Sequence, residues 1–420
     1  MRGNLRFLSI VLIIFLLIDL YVFQGVKYFF NGYSPAARRV VYILYWVLTV
    51  LTFSGLAFFF LGNPEKWTRS FRSLFFAGVF TLYLPKLLFL IFLLIDDIQR
   101  IFRWIGTKLY ALFNPSVQDA ASIDISRADF LLKTGVFFAA VPFVSMLYGI
   151  LIGAHDYTVR KVKIKLKHLP ASFNGLKILQ ISDIHCGSFY NKSAVERGVQ
   201  TIMKQNADII FFTGDLVNDK ASEAEPFIEL LSRIKAPMGV FSVLGNHDYG
   251  DYYPWESIEE KKENMKKMIA IHSKIGWKLL INENVIFKKS DGSLALIGIE
   301  NWGKGARWPK YGKLEKAYKG VENADVKLLL SHDPSHWDAQ VRPEYPDIDV
   351  MFSGHTHGFQ FGVRVGNLKW SPVQYVYDQW AGLYKKGKQF LYVNRGFGYI
   401  GFPGRVGMPP EITVMELERG

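Results

Sequence analysis

Long apolar runs fill the first part of the chain and give way near residue 153 to short runs broken by polar residues. Four of the long runs reach the roughly 20 residues that a helix needs to cross a bilayer. They cover residues 7–23, 40–61, 73–95 and 130–153. Arg2 and Arg6 precede the first run as they would a signal peptide, but no small-residue cleavage site follows, so a signal anchor is expected. Asp19 and Lys86 fall inside the spans, where an ionisable group is costly and is either paired or functional. Between spans three and four, Ile98, Ile101, Phe102, Ile105, Leu109 and Leu112 recur at helical spacing. This pattern fits a helix lying in the interface plane or a connector packed on the bundle.

Beyond residue 153 the period changes. Residues 157–166 alternate apolar and basic positions, as a half-exposed strand does. Residues 177–181, 208–213 and 239–244 are short apolar runs, each halted by polar residues, and read as buried strands. Helical patterns follow at 191–205, 223–235 and 257–275. Further strands are expected at 293–299, 326–330, 348–352, 390–393 and 411–417. Strands that alternate with helices and then dominate predict a layered α/β domain. The chain thus divides into a transmembrane helical region of four spans, residues 1–153, and a layered α/β domain, residues 154–420.

Composition fits this division. The 420 residues are 50% apolar and 15% aromatic, a surplus that sits in the first region. The net charge of +13 comes from scattered Lys and Arg. Many flank apolar runs, so membrane lipids and a phosphate-containing substrate are the expected partners and nucleic acid is not. With four spans both termini share one side, which carries Arg2, Arg6, Lys66, Arg69, Arg72 and the basic residues from Arg160 to Lys167. Lys27, Arg38, Arg39, Arg100, Arg103, Lys108 and Arg127 lie on the other. The bias favours a cytoplasmic second region on a multi-pass membrane protein. The single cysteine, Cys186, rules out an intrachain disulfide. It adjoins His185 as a possible soft ligand, but a small pocket-lining side chain is the simpler reading.

One arrangement recurs in the second region. A hydrophobic strand ends and metal-binding residue types follow at once: Asp183 and His185 in SDIH, Asp215 in TGD, Asn246, His247 and Asp248 in GNHD, His332 after KLLLS, and His355 and His357 in GHTH. Ligands at the ends of buried strands converge on one rim of a sheet. Carboxylate, imidazole and amide donors without thiolate suit hard or borderline divalent ions rather than structural zinc. So many donors suit two metals sharing a carboxylate, a pair that can clamp attacking and leaving oxygens at phosphorus.

These five blocks, in this order, resemble the signature of the calcineurin-like metallophosphoesterase superfamily from about Lys177 to the C-terminus. The resemblance implies a four-layer αββα sandwich and two divalent ions (Mn, Fe, Zn or Mg). It puts Asp183, His185 and His357 on the first metal, Asn246, His332 and His355 on the second, and Asp215 between them. It implies water activated by the metals as nucleophile. His247 would face the leaving oxygen as a catalytic residue, with Asp248 orienting it. The tail VNRGFGYIGFPGRVGMPPEITVMEL is similar to that of bacterial membrane-associated phosphohydrolases of this superfamily. Such proteins usually read GHTHGGQ, and here Phe359 replaces the second glycine, making the pocket rim bulkier.

The expected activity is hydrolysis of a phosphodiester or pyrophosphate bond, in a lipid-linked substrate because four spans exceed what tethering needs. Two alternatives stand beside it: an anchored phosphatase of a soluble nucleotide or phosphomonoester, and a non-catalytic metal-binding sensor or scaffold. Arg395 and Arg405, in the glycine-rich tail, are candidate phosphate forks. His336, His155, His168 and His272 lack motif context and are expected to be core or solvated residues. Trp302, Trp308 and Trp370 are expected in loops between the motifs.

Overall fold

The computed structural model describes residues 2–62, 67–113, 125–305, 309–365 and 368–420. Lys66 and Trp308 lie outside the described residues. The chain splits into two units, Met1–Leu147 and Tyr148–Gly420.

The first unit is helical: α1 (Arg2–Phe29), α2 (Pro35–Leu61), α3 (Arg69–Phe113) and most of α4 (Ile125–Leu151). All four are long and apolar enough to span a bilayer. Ser34 caps α2 through the amide of Ala37, and Pro35 fits the first turn, where no N–H partner is needed. The amphipathic segment between spans three and four is the continuous end of α3. No proline or glycine pair stops the helix after Pro85, so the third span and its amphipathic extension form one 45-residue rod. Asp19 and Lys86 are paired. The fully buried Asp19 carboxylate accepts bonds from Lys86 Nζ at 2.5 Å, Tyr83 at 2.7 Å and Tyr45 at 3.2 Å. Lys86 also lies over both tyrosine rings, 4.5 and 4.6 Å from their centres. A cation, an anion and two hydroxyls thus satisfy one another where water cannot.

The second unit contains fourteen strands among its described residues. They are β1 (Thr158–Leu166), β2 (Leu176–Ile181), β3 (Ile209–Phe212), β4 (Val240–Ser242), β5 (Lys278–Leu279), β6 (Glu283–Lys289), β7 (Gly292–Gly298), β8 (Val326–Leu330), β9 (Val350–Ser353), β10 (Val363–Val365), β11 (Leu368–Trp370), β12 (Gly382–Lys386), β13 (Gln389–Val393) and β14 (Glu411–Arg419). One sheet runs β1-β14-β2-β3-β4-β5 and the other β12-β13-β9-β8-β7-β6; β10 and β11 form a separate hairpin. β2, β3 and β4 are mutually parallel, as are β7, β8, β9 and β13.

Three apolar layers make this a four-layer αββα sandwich. Ile178, Phe211 and Phe241 from one sheet meet Leu296, Leu328 and Phe352 from the other. On the outer face of the first sheet, Leu179, Ile210 and Phe212 pack under α5 (Lys192–Met203) and the helix Ile258–Lys274. Ile297, Leu329 and Met351 pack under Leu314, Ala317 and Trp337 on the far side. In α5, Ala194, Val195, Gly198, Val199 and Ile202 are buried, one helical stripe, and Asn191 caps its start at 3.0 Å. The helix expected over 223–235 shrinks to two short turns and Ile228–Leu231, because Pro226 supplies no N–H to continue a ladder.

His272 and His336 are core residues. Each holds a serine hydroxyl through Nδ1: Ser242 at 2.9 Å and Ser331 at 3.0 Å. Burial lowers their pKa to about 3 and about 4. An unfolded histidine titrates near 6.5. Below that pH the unfolded chain binds protons that the fold excludes, so this contribution is full above about pH 6.5 and falls as pH drops toward 4. Each ring is expected to cost about 2 kcal/mol by pH 5. Thermal unfolding of the full chain in detergent should show a midpoint falling between pH 6.5 and 5, less steeply in His272→Gln. An identical slope in that variant would contradict the assignment.

Candidate metal centre

Parallel strands end on the same rim, and each motif residue follows one of them. Asp183 and His185 follow β2, Asp215 follows β3, Asn246 and His247 follow β4, His332 follows β8, and His355 and His357 follow β9. The turns are tight. Asp183, His185, Asp215, His355 and His357 all adopt left-handed backbone, with φ between 51° and 71°. For non-glycine residues this costs about 1 kcal/mol or more each and persists only where the surroundings impose it. The glycines beside them are needed for close approach. A Cβ on Gly245 would overlap the Asp215 carboxylate, and one on Gly354 would overlap Ser182 and Asp183.

The ligating atoms converge in two groups. Asp183, His185 and His357 form one, and Asp215, His332 and His355 the other. Nε2 of His185 lies 3.0 Å from Nε2 of His357, which lies 3.3 Å from Asp183 Oδ1. Nδ1 of His355 lies 3.3 Å from Nε2 of His332 and 2.9 Å from Oδ1 of Asn246. Asp215 Oδ2 sits between the groups, 3.1 Å from His332 Nε2 and 3.6 Å from His185 Nε2. Buried nitrogen and oxygen lone pairs facing one another at such distances fit cations among them, and the oxygen and imidazole donors suit divalent ions.

The surroundings aim these atoms. The backbone carbonyl of Thr213 receives His332 Nδ1 at 2.7 Å, which turns Nε2 toward Asp215, 3.1 Å away. Tyr377 takes His355 Nε2 at 2.7 Å and leaves Nδ1 to the site. Tyr252 accepts a bond from Asn246 Nδ2 at 3.0 Å, which points the amide oxygen inward. Two amide bonds from His355, at 3.0 and 3.1 Å, hold the Asp183 carboxylate.

Electrostatics follow from burial. Desolvation lifts the Asp183 carboxyl to about 6. Burial also works against charge on Asp215, but the neighbouring His332 and His247 hold it well below the usual carboxylate range. Burial first, then His185 and Arg405, depress His357, and burial depresses His355, so both favour the neutral imidazole that ligates metals.

His247 stands apart. Its ring is half-buried beside this buried group, 5.1 Å from the His185 ring. Its amide donates to Asp215 Oδ1 at 2.9 Å. Asp248 does not orient it. That carboxylate is fully buried and accepts the amides of Asp215, Leu216, Val217 and Gly245 at 2.8–3.2 Å. It ties the β3 and β4 turns together. The backbone carbonyl of Asn218 orients His247 instead, 2.7 Å from Nδ1.

The two candidate arginines are also engaged elsewhere. Arg405 is almost fully buried. It bonds the carbonyls of Gly398, Arg395, Gly396, Met408 and His357 and reaches His357 Nδ1 at 3.1 Å. Arg395 is buried against Glu411, which also pairs with Arg160 at 3.2 Å. Both arginines therefore hold the glycine-rich tail against the site rather than presenting a fork to substrate. Cys186 packs in the core under the first sheet, outside both groups. Trp302 packs on His336, with ring centres 4.5 Å apart.

Two family models match the chain. One, described as a probable calcineurin-like phosphoesterase transmembrane domain, covers residues 5–154. The other, calcineurin-like phosphoesterase, covers residues 176–359. A Danio rerio transmembrane protein with metallophosphoesterase domain is 30% identical over 66% of this chain and 61% of its own length. Its Bos taurus counterpart is 28% identical over 66% and 60%. The uncharacterized metallophosphoesterase YkuE of Bacillus subtilis is 29% identical over 64% of this chain and 89% of its own. The chain thus spans about three fifths of the length of the first two relatives.

Two substitutions test this geometry. Asp248→Asn exchanges an acceptor-only carboxylate for an amide with one acceptor oxygen, and should cost about 2–3 kcal/mol of stability. Its thermal midpoint should fall clearly; an unchanged midpoint would refute the structural role. Tyr377→Phe should weaken Mn²⁺ binding on the order of tenfold by freeing the His355 ring. Unchanged affinity in a calorimetric titration would show that the hydroxyl does not position His355.

Proposed function

The chain belongs to the calcineurin-like metallophosphoesterase family, and we propose that it is a membrane-bound hydrolase of a phosphodiester or pyrophosphate bond in a lipid-linked substrate. The observation that carries this reading is the convergence of seven donors, six of them buried, beside one half-exposed imidazole. In this reading Asp183, His185 and His357 hold one divalent ion and Asn246, His332 and His355 a second, with Asp215 shared. Bound there, the ions supply an acidified water and neutralise phosphate charge.

The remaining steps belong to the chain. With Nδ1 bonded to the Asn218 carbonyl, His247 has Nε2 left for the substrate. It protonates, or stabilises charge on, the leaving oxygen. The buried walls keep bulk water from competing with the substrate phosphate. The lipid-linked substrate is inferred from the four spans and from the exposed, apolar Phe359 beside His357. A cytoplasmic face for residues 154–420, with residues 1–153 as the anchor, follows from the bias of basic residues.

The full chain with Mn²⁺ should cleave bis(p-nitrophenyl) phosphate or a pyrophosphate-linked lipid, and His247→Ala should lower kcat by about 10²–10⁴ while still binding metal. Metal-loaded wild type that leaves both substrates intact would overturn the hydrolase reading. Full turnover by His247→Ala would overturn the role given to that ring.

A further inference from the structure

The described residues between His357 and the start of β12 form a small lobe that is apolar on two faces. Its inner face packs through Val373, Trp380, Ala381 and Met408. Its outer face exposes Phe359, Val363, Trp370, Tyr375 and Val376, the last two at 77% each. Val363 and Trp370 are directly paired across the β10–β11 hairpin. Ser371 ties the hairpin end to the Gly358 carbonyl at 2.9 Å. A cluster of large side chains of this kind on a folded surface calls for an occupant.

Backbone strain singles out the same place. Phe359 sits at φ 59° with its side chain 55% exposed. Glycine would relieve the strain there. A bulky ring in that conformation, turned outward, gains nothing from the core and is explained by a contact outside it.

Hydrogen bonds within the second unit tie this lobe to the end of the fourth span. A span of about 20 residues beginning after Asp129 ends near Gly149. Residues from Tyr148 onward fold with the second unit. The Gly149 carbonyl accepts the Arg405 amide at 3.0 Å, and the Ile150 carbonyl accepts the Tyr190 hydroxyl at 2.7 Å. The next residue, Val406, exchanges backbone bonds with the lobe: its amide reaches Gln360 at 2.7 Å, and its carbonyl takes the Gly362 amide at 2.9 Å. Phe361 packs on Phe402, with centres 4.8 Å apart. Two hydrogen-bonded steps thus connect the point where the chain leaves the bilayer to the root of the lobe. At its other end, Tyr377 bonds His355 of the metal centre.

We propose that the outer face of this lobe docks into the bilayer interface as a lipid-facing lip of the active site. Tryptophan and tyrosine with aliphatic neighbours are the side chains that settle at the headgroup level. The occupant is the membrane that the chain itself spans, because the lobe is bonded to the end of a span and a bilayer there is obligatory. Insertion sets the metal-centre mouth at the depth of lipid phosphates. That consequence rests on the lipid-linked substrate proposed above; the insertion itself does not.

The test needs no turnover. The full chain is reconstituted in phosphatidylcholine–phosphatidylglycerol nanodiscs that carry a shallow doxyl spin label on the lipid. Bimane is attached to Val376→Cys, to Tyr375→Cys as a second variant, and to Lys266→Cys as a control on an exposed helix face; unsubstituted protein measures labelling of the buried Cys186. Lipid-borne quenching should be at least twofold stronger at 375 and 376 than at 266. Equal quenching at all three positions would overturn the proposal. So would labels at 375 and 376 that are shielded from aqueous iodide yet untouched by lipid spin labels, which would mark a second copy or another protein on this face. Either result leaves the hydrolase reading intact.

Discussion

Seven polar side chains point their lone pairs at one another inside a protein, and the second unit is organised around making that tolerable. Burial penalises each donor, and nearby like groups penalise it again. The structure responds with fixed hydrogen bonds behind each one: the Thr213 carbonyl behind His332, Tyr377 behind His355, Tyr252 behind Asn246, the His355 amide behind Asp183. Five of the seven also sit in left-handed backbone. Such strain is held only because two rigid sheets deliver the turns to one rim, and Asp248 stitches two of those turns together. Divalent ions are charges that this donor set could hold.

The sequence made some of this readable and hid the rest, for physical reasons. Central strands such as Val326–Leu330 are wholly buried, so they are unbroken apolar runs and stand out. The edge strands β6 and β12 are half-exposed, and their short apolar stretches, Val285 to Phe287 and Leu383 to Tyr384, are closed off by lysines and make no long run. The candidate ligands were legible because each follows an apolar run and because metal chemistry restricts residue type. Their supports were not. The Asn218 and Thr213 carbonyls belong to the backbone and carry no side-chain signal, and Tyr377 reaches His355 from 22 residues away through a lobe with no recognisable pattern. The same limit explains Asp248, Arg395 and Arg405. A charged residue in a motif reads as chemistry until its partners show that it holds backbone in place.

The first unit follows the same rule of satisfied polarity with a different outcome. Asp19 and Lys86 lie at membrane depth, where unpaired charge is untenable, and two tyrosines complete their pairing. Their spacing in sequence, one on α1 and one on α3, makes the pair a register mark between helices rather than an isolated charge. The two units thus manage buried charge differently. One neutralises it internally, while the other keeps a set of ligands open for ions.

The proposed chemistry requires two ions flanking Asp215. Anomalous diffraction from crystals of the full chain grown with Mn²⁺ measures this without reference to substrate. It should show two peaks roughly 3.5–4 Å apart, one among Asp183, His185 and His357 and the other among Asn246, His332 and His355, both touching Asp215. A single peak, or ions bound away from Asp215, would contradict it.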